Sequence, residues 1–259
     1  MEKVIHLESV DSTNNYLRKL AAEGCPHGQF VVAQHQTAGR GRMGRSFVSQ
    51  EGTGIYLSWL LRPDCSPTDI LPITCMSAVA VCDAIYKCYE IKPQIKWVND
   101  LVLNQRKICG ILTEMSLTGN KISHVIVGIG INVNNLQEEF PSELRDIATS
   151  LFMETGKQLD ISILTDELIC QLESLGNILI PLSSPGLELQ KDSDPAPDYY
   201  WHEYCKNNII PGNDIRIITP HGEKIAYAQE INRDFSLKVC YPGGITEDIS
   251  SCEVTIRKK

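Results

Sequence analysis

One eight-residue stretch, Gly39-Arg40-Gly41-Arg42-Met43-Gly44-Arg45-Ser46, interleaves three glycines with three arginines. Glycine lets a backbone come close to an anion, and each guanidinium offers a planar fork of donors for a carboxylate or phosphate. The order of residues satisfies G-x-G-x-x-G and misses a P-loop by one residue, with Arg45 standing where lysine would be. Both motifs must open a helix, whereas the residues that follow, Phe47 to Gly54, are extended and broken by glycine, so neither match is kept. The interleaving favours anion binding over a merely solvated basic turn, and three mutually repelling arginines would need an anion to settle them. A second candidate is Lys96-Trp97-Val98-Asn99-Asp100. Its lysine either snorkels at a sheet edge or sets a point charge in a pocket, where it would neutralise a carboxylate and a phosphate together. The third is Ile126-Val127-Gly128-Ile129-Gly130-Ile131-Asn132-Val133. Its alternating glycines strip one strand face so that a ring or base could lie on the backbone, although bulges or tight packing explain isolated glycines equally well.

These segments need elements to hold them. A short strand at Val4 to Leu7 precedes Asp11-Ser12-Thr13, whose oxygens suit a helix N-cap, and an amphipathic helix should run from there to Gly24. Phe30 to Gln34 and Gly54 to Leu61 read as strands on either side of the arginine loop, which is expected to be long and exposed. Helices are expected over Thr68 to Tyr89 and Ser162 to Leu179. Between them, strands at Gln94 to Trp97, Leu101 to Leu103, Lys107 to Met115 and Lys121 to Val133 have connections too short for crossover helices. They should pair antiparallel as hairpins, giving an α+β sheet rather than a doubly wound one. Ser183 to Asp198 looks like a surface loop or linker, and short strands beyond Pro211 suggest a small SH3-like β-barrel.

Composition narrows the partners. A chain of 259 residues can bury one large core and a small satellite. Its formal charge of -8 argues against a nucleic-acid partner. The ten cysteines include no CxxC pair, and MEKVIHLESV lacks a signal-peptide core, so buried thiols in a reducing cytoplasm are expected and no protein-held metal. The longest apolar run, Ile73 to Tyr86, is broken by Asp83 and reads as too short to span a bilayer.

Taken with Ser12-Thr13-Asn14, the three segments resemble the biotin–protein ligases, whose catalytic domain carries S-T-N, G-R-G-R-x-G-R, K-W-P-N-D and G-I-G-I-N in this order. The likeness runs from about Ser9 to Leu151, and more weakly from Tyr200 to Arg257. It implies a largely antiparallel α+β domain related to class II aminoacyl-tRNA synthetases over residues 1–198, followed by the SH3-like barrel over 205–259. It also implies an ATP-dependent ligase that makes biotinyl-5′-AMP and passes biotin to one lysine of a biotin carboxyl carrier domain. Carried over by position, biotin contacts fall on Ser12, Thr13, Asn14, Gln36, Arg40, Gly41, Arg42 and Lys96. The first three and Gln36 suit the ureido ring, and Arg42 and Lys96 would act in catalysis on the carboxylate and α-phosphate. Arg45 and Asn132 would turn toward the nucleotide, with Mg2+ arriving on ATP. Val98 replaces the family's usual proline and Phe47 a frequent tryptophan, while Phe235-Ser236 and Ser251-Cys252 stand where glycine is common. The resemblance includes no N-terminal DNA-binding domain, so a repressor role is not expected. A lipoate–protein ligase of the same fold is the alternative, and a nucleic-acid module built on the arginine loop is the rival of another class. Extended strands would also allow edge-to-edge pairing into a homodimer.

Overall fold

The structure, a computed structural model, describes residues 2–64, 66–179, 195–219, 222–250 and 252–257. The chain opens with β1 (Val4–Val10), α1 (Thr13–Ala22) and β2 (Phe30–Gln36), and β3 (Gly54–Leu61) follows the arginine loop. Next come α2 (Leu71–Tyr89), β4 (Gln94–Lys96), β5 (Asp100–Leu103), β6 (Arg106–Thr118) and β7 (Lys121–Asn132). These strands form one seven-stranded sheet in the order β1-β2-β3-β7-β6-β5-β4. The expected hairpins are present, since β4, β5, β6 and β7 pair antiparallel in succession. The β1–β2 pair is parallel because α1 supplies the crossover between them. The fold is therefore mixed α+β with antiparallel pairing dominant.

Side-chain alternation along β7 decides what each face of the sheet does. Val125, Val127, Ile129 and Ile131 are buried in the main core, which α2 and α4 (Ile161–Leu179) cover. Ile126 faces the other way, beneath α1, with Leu17, Ala21, Val31 and Leu60. Gly128, Gly130 and Asn132 follow on that same second face, one side chain in two. Trp59 stacks on Phe30 at 5.8 Å between ring centroids and fits the core only because Gly176 of α4 has no side chain.

At 19 residues, α2 is longer than the apolar run that marks it, and by length and composition alone it could cross a membrane. Its burial gives another reason for that composition. Residues all round it, including Cys75, Ala78, Val79, Ala80, Val81, Ala84 and Ile85, are enclosed in protein. Pro72 sits in its first turn, and a separate 3-10 turn, Pro67–Ile70, precedes it where one continuous helix was expected.

Residues 183–194 of the expected linker lie outside the described residues. Pro195 to Asp198 open a helix instead, α5 (Pro195–Asn207), which the proline-rich composition concealed. Proline is tolerated in a first helical turn because that turn's N–H groups lack helical partners anyway. A short α3 (Leu151–Thr155), capped by the Ser150 hydroxyl on the Met153 N–H, was also unforeseen. A second, antiparallel sheet follows, with β8 (Asp214–Thr219), β9 (Gly222–Ile231), β10 (Leu237–Cys240), β11 (Thr246–Ile249) and β12 (Glu253–Ile256) in the order β11-β10-β9-β8-β12. Among the described residues no pairing joins β11 to β12, so the strands form a row of five and not a closed ring. The two sheets share one apolar core. Their junction is specific: the Trp97 indole donates to the Phe235 carbonyl at 3.0 Å, and the Tyr204 hydroxyl donates to the Val98 carbonyl at 2.9 Å.

Candidate active site

Strand register assembles the site. Tyr56 of β3 lies opposite Gly130 of β7, Gly130 opposite Gly110 of β6, Gly110 opposite Asp100 of β5, and Asp100 opposite Lys96 of β4. Directly paired residues project to one face, so this row runs from an aromatic wall across two bare glycines to an acid and a base. A neighbouring row joins Ser58, Gly128 and Leu112. The glycines are bare for a reason of space. A methyl group on Gly130 would lie 2.5 Å from the Phe47 ring, and one on Gly110 would lie 2.9 Å from the Lys107 ammonium. Phe47, bent back from the arginine loop, thus covers the strip, and tight packing of the protein's own Asn14, Phe47 and Lys107 side chains accounts for the glycines.

At one end of the strip stands the N-terminus of α1. Gly128 admits it, since a Cβ there would sit 2.2 Å from Asn14 Oδ1. Gln36 Oε1 accepts from the Thr13 N–H at 2.9 Å and lies 3.1 Å from the Thr13 hydroxyl oxygen, while Gln36 Nε2 donates to Ser49 at 2.9 Å. Buried Ser58 links the Thr13 hydroxyl, 2.8 Å away, to Asn14 Oδ1 at 2.5 Å. Ser12 is the helix N-cap residue, yet its hydroxyl makes no capping bond and is left for other use. The structure thus brings Ser12, Thr13, Asn14 and Gln36 together at one place.

The arginine loop is folded onto protein acceptors. Its ends close through the Gly41 N–H, which donates to the Arg45 carbonyl at 2.7 Å, and Met43 takes a left-handed conformation at φ 55° to turn the chain. Arg40 pairs with Glu114 at 2.9 Å. Arg42 donates to Asn99 Oδ1 at 2.8 Å and to the Cys252 carbonyl at 3.3 Å. Arg45 pairs with Glu253 of β12. The expected repulsion among the three is therefore met by a separate acceptor for each one. Arg42 is the arginine that reaches the Lys96-to-Asp100 turn, where the Trp97–Val98 peptide is cis. Arg40 stays with α1, and Arg45 lies out toward the second sheet.

Lys96, half-buried, pairs with Asp100 across β4 and β5 and so projects to the site face. It shares that position with a lysine that sequence reasoning passed over as the start of a strand. The Lys107 ammonium pairs with Asp100 at 2.6 Å and lies over Gly110, closer to the strip than the row position of Lys96. The signal for it was the hairpin itself, because pairing across Asn104-Gln105 must bring the residues after Arg106 back beside Asp100 to Leu103. Glu114, Ser58 and Asn99 were missed as well. They serve the site through other side chains, which spacing does not reveal. Asn132 is buried at the other end of β7; its Nδ2 donates to the Thr149 carbonyl at 3.0 Å, whereas Oδ1 has no partner among the described residues. Burial pushes the Tyr56 hydroxyl up to about 12 and the Cys252 thiol, beside Arg42, up to about 11, so both stay protonated at neutral pH. Neither is a ready nucleophile. The arrangement can bind a ligand by hydrogen bonds at the α1 end, hold its body against bare backbone, and neutralise anionic charge at the Lys107, Arg42 and Lys96 end.

Comparison with known proteins agrees with this geometry. Residues 6–132, the segment from β1 to the end of the glycine strand, match the model of the Biotin/lipoate A/B protein ligase family. The bifunctional ligase/repressor BirA of Bacillus spizizenii is 45% identical over 159 residues, which are 61% of this chain and 49% of that protein. The chain thus spans about half the length of that curated relative. Its Escherichia coli namesake is 31% identical over 251 residues, 97% of this chain and 73% of the relative. Among solved structures, the biotin protein ligase from Aquifex aeolicus in complex with biotin and ATP superposes with a TM-score of 0.77 at 27% identity, covering 100% of both chains. With one relative matched along nearly the whole chain and the family's own segment holding the bare strip and its polar ends, the chain belongs to the Biotin/lipoate A/B protein ligase family.

Proposed function

We propose that the chain is a biotin–protein ligase, joining biotin and ATP as biotinyl-5′-AMP and transferring the biotinyl group to a lysine of a biotin carboxyl carrier domain. The carrying observation is the strip of bare glycines between a hydrogen-bonding array at α1 and the cationic group at Lys107, Arg42 and Lys96. A ureido ring, with two N–H donors and one carbonyl, suits the array of Ser12, Thr13, Asn14 and Gln36. Lipoate would leave that array unused, because its dithiolane offers nothing to hydrogen-bond, and buried polar groups without partners are costly. The biotin carboxylate attacks the α-phosphorus of ATP and pyrophosphate leaves, while Lys107, Arg42 and Lys96 offset charge on the phosphoryl oxygens. A neutral carrier lysine then attacks the acyl carbon and AMP departs. This chain contributes positioning and charge, with no covalent intermediate on a side chain.

Asn132 Oδ1 is a buried acceptor in need of a donor, which suits an amino group of the adenine base better than a phosphate oxygen. Mg2+ fits as part of the substrate MgATP. Among the described residues no group of three or more His, Cys, Asp or Glu gathers to hold a metal, and Asp100 could add a single carboxylate to an ion that keeps its phosphates and waters. We read residues 1–198 as the catalytic unit of the class II synthetase type and 205–259 as an SH3-like unit, a reading supported by the five short antiparallel strands of the second sheet though not by closure of the row. Cys75, Cys82 and Cys109 are buried thiols, which accords with a reducing cytoplasm, and the outer edge of β1 pairs with no described strand, which leaves room for a homodimer. The test is incubation with MgATP and either biotin or lipoate, with the acyl-adenylate detected by mass. Biotinyl-adenylate alone is expected; lipoyl-adenylate alone, or neither product, refutes the assignment.

A further inference from the structure

Glu114 stands on the site face of β6, beyond the end of the glycine strip, and no part of the proposed chemistry uses it. Its carboxylate is nevertheless crowded with donors. Oε2 accepts from Asn14 Nδ2 at 2.9 Å and from Arg18 at 2.8 Å, while Oε1 takes Arg40 at 2.9 Å. A carboxylate can only accept, so it forces Asn14 to present its NH2 group and turns the amide oxygen the other way. Asn14 Oδ1 then faces Ser58, which must spend its single proton on it at 2.5 Å. The oxygen of Ser58 is left as an acceptor for the Thr13 hydroxyl, 2.8 Å away. Gln36 Oε1 is already served by the Thr13 N–H, so the Thr13 proton can be given to Ser58 and its lone pairs turned outward. One fixed charge thus sets the polarity of a four-residue chain that ends at the ligand.

We infer that Glu114 is a specificity-determining positioning residue: by orienting Asn14, Ser58 and Thr13 in sequence, it makes the α1 end of the site present acceptors to the ureido N–H groups of biotin. The same carboxylate ties Arg40, the first arginine of the loop, to Arg18 of α1, so the loop and the ureido end are set together. Glu114→Gln keeps the size of the side chain but adds a donor of its own, which leaves only the longer bond to the Leu112 carbonyl, 3.4 Å, to turn Asn14 Nδ2 that way.

This inference rests on the proposed ligase activity, and its test separates the two. Binding of biotin, of a biotin analogue methylated on the ureido nitrogens, and of ATP is measured calorimetrically for wild type and Glu114→Gln, with thermal unfolding as a check on folding. The variant should bind biotin roughly 10- to 100-fold more weakly, the span of one charge-assisted hydrogen bond. The preference for biotin over the methylated analogue should shrink by a similar factor, while ATP affinity stays within about twofold. A merely structural role would weaken both ligands alike and leave that preference unchanged. Unchanged preference in a folded variant overturns the role of Glu114, whereas wild-type protein that fails to bind biotin overturns the ligase reading on which it rests.

Discussion

Two lysines and one arginine carry the charge end of the site, and their surroundings rank them. Lys107 lies over the bare backbone of Gly110 and is held at 2.6 Å by Asp100, so its ammonium is placed before any ligand arrives. Lys107→Ala should lower adenylate formation by about 10²–10³-fold, the usual loss when a preorganised transition-state donor is removed. Lys96→Ala, acting from the edge strand through a wetter gap, should cost on the order of tenfold. Pyrophosphate release dependent on biotin measures both, and the ranking fails if the Lys96 variant is the weaker enzyme. Arg42 poses a different question, because Asn99 and the Cys252 carbonyl hold it against both the lysine turn and the second sheet. If it grips the finished adenylate, Arg42→Gly should still make the intermediate but lose it roughly one to two orders of magnitude faster, for a charge-assisted bond of about 1.5–3 kcal/mol. Leaked adenylate acylates any neutral amine, so an unrelated lysine-rich protein in the mixture should become biotinylated. No more bystander labelling than with wild type, alongside intact adenylate synthesis, would remove Arg42 from that role.

At the scale of elements, two glycines test whether space or chemistry is at stake. Gly128 of β7 lets the N-terminus of α1 descend until Asn14 Oδ1 is 2.2 Å from where a Cβ would be, and Gly176 of α4 leaves room for Trp59 at 2.9 Å in the opposite layer. Overpacking at either position should cost roughly 1–3 kcal/mol and lower the melting temperature. Only Gly128→Ala lifts α1 from the site, so it alone should abolish tight biotin binding. Melting curves and biotin titrations of both alanine variants check this; equal loss of binding in Gly176→Ala would mean that general loosening of the sheet explains the effect. The same layer logic explains the missed elements. A five-residue α3 and a helix opening Pro-Ala-Pro-Asp are shaped by what they pack on and by how they are capped, and neither has a hydrophobic period long enough to read.

For the molecule as a whole, pH dependence offers a readout independent of catalysis. Burial lowers the pKa values of His27 and His124 below the ordinary 6.5, and Arg62 beside both lowers them further, with Arg18 adding to the effect at His124. The unfolded chain binds these protons more readily than the folded one below pH 6.5. Their contribution to stability is thus complete above that pH and is lost as pH falls through the lower folded values. Melting temperature should fall between pH 6.5 and 5, before the carboxylates titrate, and less so in a His27→Asn, His124→Asn double variant. An identical acid slope in that variant would rule the histidines out as its cause. The joined core matters here too, since Phe235, held at a left-handed φ of 64° against Tyr204, receives the Trp97 indole bond and fixes the second sheet to the lysine turn.

Much of this protein was legible in its sequence because local chemistry encodes it: hydrophobic periods for α1, α2 and α4, and short turns that forced the hairpins of β4 to β7. Ser12, Thr13, Asn14 and Gln36 meet at the N-terminus of α1, and Arg42 reaches the turn that follows Lys96. The hairpin at Asn104-Gln105 returns Lys107 toward Asp100, but the register shift between Leu101 and Val102, which no residue pattern announces, decides that it lies over the strip. Only the tertiary structure set Glu114, some hundred positions from Asn14, as the charge that orients it. Residues that act through other residues have no spacing of their own; pairing across strands brings them together, and pairing is a property of the folded sheet.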